Sequence, residues 1–267
     1  MIDKERRFSP ENLQCLEGFD FYPRGLKPLE GRERVWGPIV SCIAPFYGTG
    51  KTTFVKVVND QFNQAGFLVY PIWERPDDNP FLKASYKRTT AVDGGSLFSF
   101  LSQWWFITDK FEQWLAAPRD RETIIVTDLP PEGDAIFGAV RRLTGGMSED
   151  HWRRYKEFHE GLSWNEIWPP DVIVYLTGSM QVLLDRNGTS AEDFEQGMSG
   201  DYLKALMKVN EWWLEQVEEK YKGTKVLKVS TDDFDFSDNG DPDNGRILTE
   251  KVAEVLTGLG FSQFENL

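Results

Sequence analysis

Residues 38–66 constrain this chain more than any other stretch. PIVSCIA at 38–44 is an unbroken apolar run, the pattern of a strand buried on both faces. PFYGTGKTT follows at once, and then FVKVVNDQFNQAG, whose apolar residues recur at helical spacing up to Gly66, a natural C-cap. FLVYPIW at 67–73 is a second short apolar run. Strand, glycine loop, helix, strand is a βαβ unit, and such units build parallel sheets.

The loop carries its own chemistry. Positions 45–52 read Pro45, Phe46, Tyr47, Gly48, Thr49, Gly50, Lys51, Thr52, so the pattern G-x-x-x-x-G-K-[ST] is met except at its first glycine, where Pro45 stands. Gly48 and Gly50 let backbone N–H groups turn inward around a phosphate. The helix that follows offers its N-terminus to the same anion. Lys51 would reach the β and γ oxygens, and the Thr52 hydroxyl would ligate Mg²⁺. Tyr47, Gly48, Thr49, Gly50, Lys51, Thr52 and Thr53 are therefore the expected donor-binding residues, with ATP or another nucleoside triphosphate and Mg²⁺ as the expected cofactors.

Further apolar runs at 122–129 (ETIIVTDL), 171–176 (DVIVYL) and 225–230 (KVLKVS) predict three more strands. Helical spacing covers 97–117, 134–143, 149–162, 179–186, 202–221 and 247–259. The expectation is an α/β protein with a five-stranded parallel sheet flanked by helices. Residues 1–35, rich in Pro and Gly and without period, read as an N-terminal extension to a domain spanning 36–267.

Thirty Lys and Arg against forty-three Asp and Glu leave a net charge of −13. That balance disfavours a grip on a long nucleic-acid backbone. Two cysteines and two histidines rule out a disulfide framework and leave almost no Cys/His zinc ligands. No apolar run is long enough to span a membrane, and the opening MIDKERRF has no signal-like region. A cytoplasmic globular protein is expected.

Two acids stand beyond apolar runs, where open α/β sheets bind ligands. Glu74 follows 67–73 and would take a proton from an attacking hydroxyl. Asp128 follows TIIVT and would contact Mg²⁺ or assist Glu74. With Lys51 and Thr52 they would form a phosphoryl-transfer centre.

From Ile39 to about Leu256 the chain resembles the deoxynucleoside kinase family. The resemblance rests on E-x-x-x-x-N-P-x-L-x-x-x-Y (Glu74, Asn79, Pro80, Leu82, Tyr86), on the helix around Gln103, on the strand-end Asp128, on PPDVIVYL, and on FEQGMSGDYLKAL at 194–206. It implies a P-loop nucleoside-kinase fold and transfer of a phosphoryl group to the 5′-hydroxyl of a deoxynucleoside. It implies Glu74 as catalytic base, Gln103 at the nucleobase edge, Tyr86 and Glu195 at the sugar 3′-hydroxyl, Asp134 as a base-contacting acid, Lys110 where an arginine is common, and Arg186 as the first lid arginine. Trp104 and Trp105, next to Gln103, would shape the base pocket. It also implies a homodimer built through a helical bundle.

The chain departs from the family where phosphate is handled. Pro45 replaces a glycine, Leu129 stands where an arginine usually follows the strand-end acid, and Ser190 and Glu192 occupy the places of the later lid arginines. Arg75, Arg141 and Arg142 are the expected substitutes for the missing cations. The alternative is a relative impaired in catalysis that binds nucleotides or other proteins, or a kinase acting on a nucleotide or a modified base in DNA.

Overall fold

The computed structural model describes residues 16, 19, 21, 33–45, 49–87, 95–179, 200–235, 240–265 and 267. Five strands, β1 (Ile39–Ile43), β2 (Val69–Ile72), β3 (Ile124–Thr127), β4 (Val172–Thr177) and β5 (Lys225–Ser230), pair throughout in parallel, in the order β2-β3-β1-β4-β5. The apolar runs set this outcome: β1 and β3 are buried along their whole length, as central strands covered on both faces must be.

Alternate residues of β1 serve opposite layers. Val40 and Cys42 pack with α1 (Lys51–Gln64), through Phe54, Val55, Val58 and Phe62. Ile39 faces the other side with Ile107, Phe111 and Trp114 of α3 (Gly95–Ala116). Ile43 joins α4 (Pro131–Leu143), α5 (Glu149–Glu160) and α6 (Gly200–Lys220) in the largest cluster. Helix α2 (Leu82–Lys87) is a short piece before α3, and α7 (Pro242–Gly258) closes the α1 layer.

Helices α4 and α7 begin well before their apolar periodicity predicts. Helix α4 starts at Pro131 rather than at 134, and α7 at Pro242 rather than at 247. In each, proline occupies the first turn, where its missing N–H is no loss. Asp241 caps α7 by accepting from the Asp243 N–H at 2.9 Å. Residues 242–245, which lie ahead of the apolar periodicity, thus belong to α7. The expected helix at 179–186 lies almost wholly outside the described residues.

The first 35 residues contribute to the core. Leu16, Phe19 and Phe21 are buried against α5 and α6, Phe19 meeting Trp152 and His159 at a tilt and Phe21 meeting Trp212 edge-on. Arg34 then fastens the approach to β1: it holds Asp171 through two 2.6 Å bonds, and Asp171 also accepts from the Ile39 N–H. Most tryptophans serve packing; Trp114, Trp152 and Trp213 are fully buried.

Candidate active site

The strand order places three tips side by side. Asp128 lies just beyond β3, Glu74 two residues beyond β2, and Lys51 opens the helix that follows β1. The Glu74 backbone N–H donates to both Asp128 oxygens, each at 2.9 Å. Lys110 of α3 reaches the same carboxylate, Nζ to Oδ1 at 2.9 Å, and both side chains are 1% exposed. Asp128, expected at the metal or beside Glu74, thus has its carboxylate engaged by Lys110 and by the backbone of Glu74.

The segment carrying Glu74 is fixed from its flanks. Gln113 both accepts from and donates to the backbone of Trp73. Arg75 is bound to Asp109 of α3, which also accepts from Gln113. Downstream, Asn79 donates to the carbonyl and hydroxyl of Ser102, and its own oxygen takes the Phe81 N–H. Asn79 and Pro80 therefore tie the turn before α2 to α3. The Asn-Pro pair signals such a turn in the sequence; Asp109 and Gln113 gave no comparable signal.

Charge is concentrated here. Burial pushes the half-buried Glu74 carboxyl up, Lys110 and Lys51 pull it back, Asp128 adds to the rise, and the net lies above the ordinary carboxylate value. Burial likewise holds Asp134 well above that range, with Lys110 opposing it. For Lys110, burial disfavours the ammonium, but Asp128, Glu74 and Asp134 outweigh it and its pKa is raised. Raised carboxyls in a cleft are the property a general base at neutral pH requires.

Gln103 and Lys110 are seven residues apart, two turns along one face of α3, and Asp134 lies in the buried first turn of α4. Gln103 Oε1 and Asp134 Oδ2 are buried without a hydrogen-bond partner among the described residues. Tyr86 is half-buried on α2, in a small apolar group with Leu82, Phe106 and Trp105. Trp104 turns outward, 38% exposed, against Phe158 of α5.

At the phosphate loop, Thr49 and Lys51 are buried, Thr52 is exposed and Thr53 half-buried. Gly50 has φ 93°, the left-handed conformation that excludes a side chain at little strain. Tyr47 and Gly48 lie outside the described residues, as do Arg186, Ser190, Glu192 and Glu195.

The expected substitute cations separate clearly. Arg75 is committed to Asp109, and Arg142 to Glu149 at the surface. Arg141 is buried, its guanidinium over the rings of Tyr86 and Tyr202. Leu129 is 1% exposed in the core cluster and does not line the site. Among the described residues, no group of three or more His, Cys, Asp and Glu is placed to hold a metal, and no helix is long and apolar enough to cross a membrane.

A family profile described as deoxynucleoside kinase matches residues 42–256. The deoxyadenosine/deoxycytidine kinase of Bacillus subtilis (strain 168) is 23% identical over 216 residues, covering 80% of this chain and 91% of that one. The deoxyguanosine kinase of the same strain is 27% identical over 203 residues, covering 74% and 89%. Among solved structures, deoxyadenosine kinase from M. mycoides with products dCMP and a flexible dCDP bound superposes with a TM-score of 0.62 at 17% identity, over 81% of this chain and 99% of that one. The same enzyme with bound dATP gives 0.60 at 17% identity, over 80% and 98%. At this identity the superposition shows a shared fold.

Proposed function

This chain belongs to the deoxynucleoside kinase family and is a kinase that transfers a phosphoryl group to a deoxynucleoside; we propose that the 5′-hydroxyl is the acceptor and Glu74 the general base. The observation that carries this is the strand-tip arrangement: Glu74 is held by Asp128 through its backbone and lies within electrostatic reach of Lys51 at the start of α1.

Glu74 takes the proton of the acceptor hydroxyl. Its raised pKa makes it a stronger base than an ordinary carboxylate while Lys110 and Lys51 keep it from rising further. Asp128 is assigned to positioning, because its oxygens are occupied by the Glu74 N–H and by Lys110. Lys51 and the amides at the start of α1 bind the donor's β and γ groups. The exposed Thr52 hydroxyl, at the second residue of α1, fits a magnesium ion held jointly with a triphosphate. Bound there, Mg²⁺ supplies charge neutralisation on the transferring phosphoryl group. Arg186 and Glu195 keep the lid and sugar roles that the family pattern implies.

The buried acceptor Gln103 Oε1 favours a base that donates at its edge, as the exocyclic amine of adenine, cytosine or guanine does. The named relatives are kinases of deoxyadenosine, deoxycytidine and deoxyguanosine, which supports that class. A second copy of the chain is proposed to cover the outer face of α3. Leu97, Trp104 and Leu115 are exposed there at 44%, 38% and 47%, at helical spacings that bring them onto one stripe. The kinase acts in the cytosol on dissolved substrates.

Turnover assays with ATP or GTP and each of the four deoxynucleosides test the reading, paired with Glu74→Gln. The variant should bind deoxynucleoside nearly as tightly as the wild type and turn over about 10²-fold or more slowly, the size of a general-base effect. Unchanged turnover would remove Glu74 from the role.

A further inference from the structure

Arg141 stands seven residues after Asp134, on the same face of α4 and two turns further along. It is 5% exposed. Its guanidinium carbon lies 4.4 Å from the ring centroid of Tyr86 on α2 and 4.8 Å from that of Tyr202 on α6. The two tyrosine side chains are themselves hydrogen-bonded. Three helices that are distant in sequence therefore meet at one planar cation.

The arrangement suits arginine rather than lysine. A guanidinium presents two flat faces and is weakly hydrated, so it can lie against two rings in a space that would not hydrate an ammonium. Helix α2 is only six residues long, and Tyr86 sits in its last turn. The stack on Arg141 fixes the direction of the Tyr86 ring, and with it the hydroxyl.

We propose that Arg141 is a positioning residue that holds Tyr86 and Tyr202 at the sugar end of the substrate pocket and thereby sets selection for a deoxynucleoside with a free 3′-hydroxyl. This rests on the functional reading above, in which Tyr86 meets that hydroxyl. Arg141 acts through the tyrosines and has no part in the phosphoryl transfer itself. The missing lid arginines are not replaced by it, since its plane is taken up by the two rings at the acceptor side.

The experiment compares the wild type with Arg141→Met, Arg141→Lys and Tyr86→Phe. Each is assayed with the best of the four deoxynucleosides and with its 2′,3′-dideoxy analogue. The wild type should prefer the 3′-hydroxyl by about tenfold or more in kcat/KM, the scale of one well-placed neutral hydrogen bond. Arg141→Met should lose most of that ratio through a rise in the deoxynucleoside KM of about tenfold, with kcat within about threefold and the donor KM unchanged. Arg141→Lys, which keeps the charge without the plane, should also show a reduced ratio and serves if the methionine variant does not fold. Adding Tyr86→Phe to Arg141→Met should lower the ratio no further.

A purely structural role would reduce the active fraction and leave both the ratio and KM untouched. An unchanged ratio in both Arg141 variants overturns the proposal, as do effects of Arg141→Met and Tyr86→Phe that simply multiply. A wild type that converts deoxynucleosides without regard to the 3′-hydroxyl overturns this inference alone. A wild type that neither binds nor converts any deoxynucleoside overturns it together with the acceptor assignment.

Discussion

Replacing Lys110 by methionine removes a buried ammonium from among Asp128, Glu74 and Asp134. At 2.9 Å the attraction to Asp128 is about 6 kcal/mol for an effective dielectric of 20. Part of that is returned, because the folded state no longer has to desolvate the lysine. The expected net loss at pH 8 is about 3–5 kcal/mol, the range for a buried pair broken on one side. Against a total stability of about 5–15 kcal/mol this leaves a folded but weakened protein.

The loss must depend on pH in a definite direction. Without Lys110, Glu74 and Asp134 hold their protons to higher pH in the folded state, while the unfolded chain is unaltered in this respect. The folded variant therefore binds more protons than the folded wild type, so its stability falls more steeply as pH rises. The deficit should be largest near pH 8 and smaller by about 1 kcal/mol or more at pH 5. Lys110's own raised pKa places the loss of its contribution above the ordinary lysine value, outside this window. Turnover should follow, with the acidic limb of the rate profile moving to higher pH as Glu74 becomes harder to ionise. Urea unfolding at the two pH values measures the first effect and initial rates the second. Lys110→Met combined with Asp128→Asn removes both charges and should be more stable than Lys110→Met alone. A single-variant loss under about 1 kcal/mol that is the same at both pH values would refute the reasoning.

His159 lies between Phe19 and Trp164 with neither ring nitrogen hydrogen-bonded among the described residues, and burial lowers its pKa to about 3. The unfolded chain takes up that proton below its ordinary value, so the wild type should lose about 2 kcal/mol between pH 8 and pH 5 through this group. His159→Phe should flatten that part of the curve in urea titrations, and parallel curves would contradict it. The outer stripe of α3 predicts a dimer by sedimentation that Trp104→Glu with Leu115→Lys converts to a folded monomer of lower melting temperature; a monomeric wild type would dismiss the interface.

Much of the fold was legible because the signals are local. Each strand announces itself as a short apolar run, and Gly66 and the helical spacing close the first βαβ unit within one window. The errors were local too: Pro131 and Pro242 looked like loop residues, whereas both open helices. Glu74, Asp128 and Lys51 were readable as a group, because ligand sites in such sheets gather at strand ends. The partners of Asp128 were not. Its partners are a backbone N–H 54 residues away and an ammonium 18 residues away, and nothing near it in the chain marks either. Arginines were the least legible. Arg75, Arg141 and Arg142 are equivalent on paper, and only packing divides them into one bound to Asp109, one stacked on two rings and one paired at the surface.

The sequence by itself determined the kind of element at each place and the glycine turn that leads into the first helix, since propensity, period and turn chemistry act between residues a few positions apart. The tertiary structure alone decided that β3 would lie between β2 and β1, which brings Glu74 beside Asp128. It also decided that Lys110 would be buried among carboxylates, and that Arg141 would be enclosed by Tyr86 and Tyr202. Those outcomes are set by charge pairing, ring stacking and exclusion of water, which act through space between segments that only the completed sheet and its helices bring together.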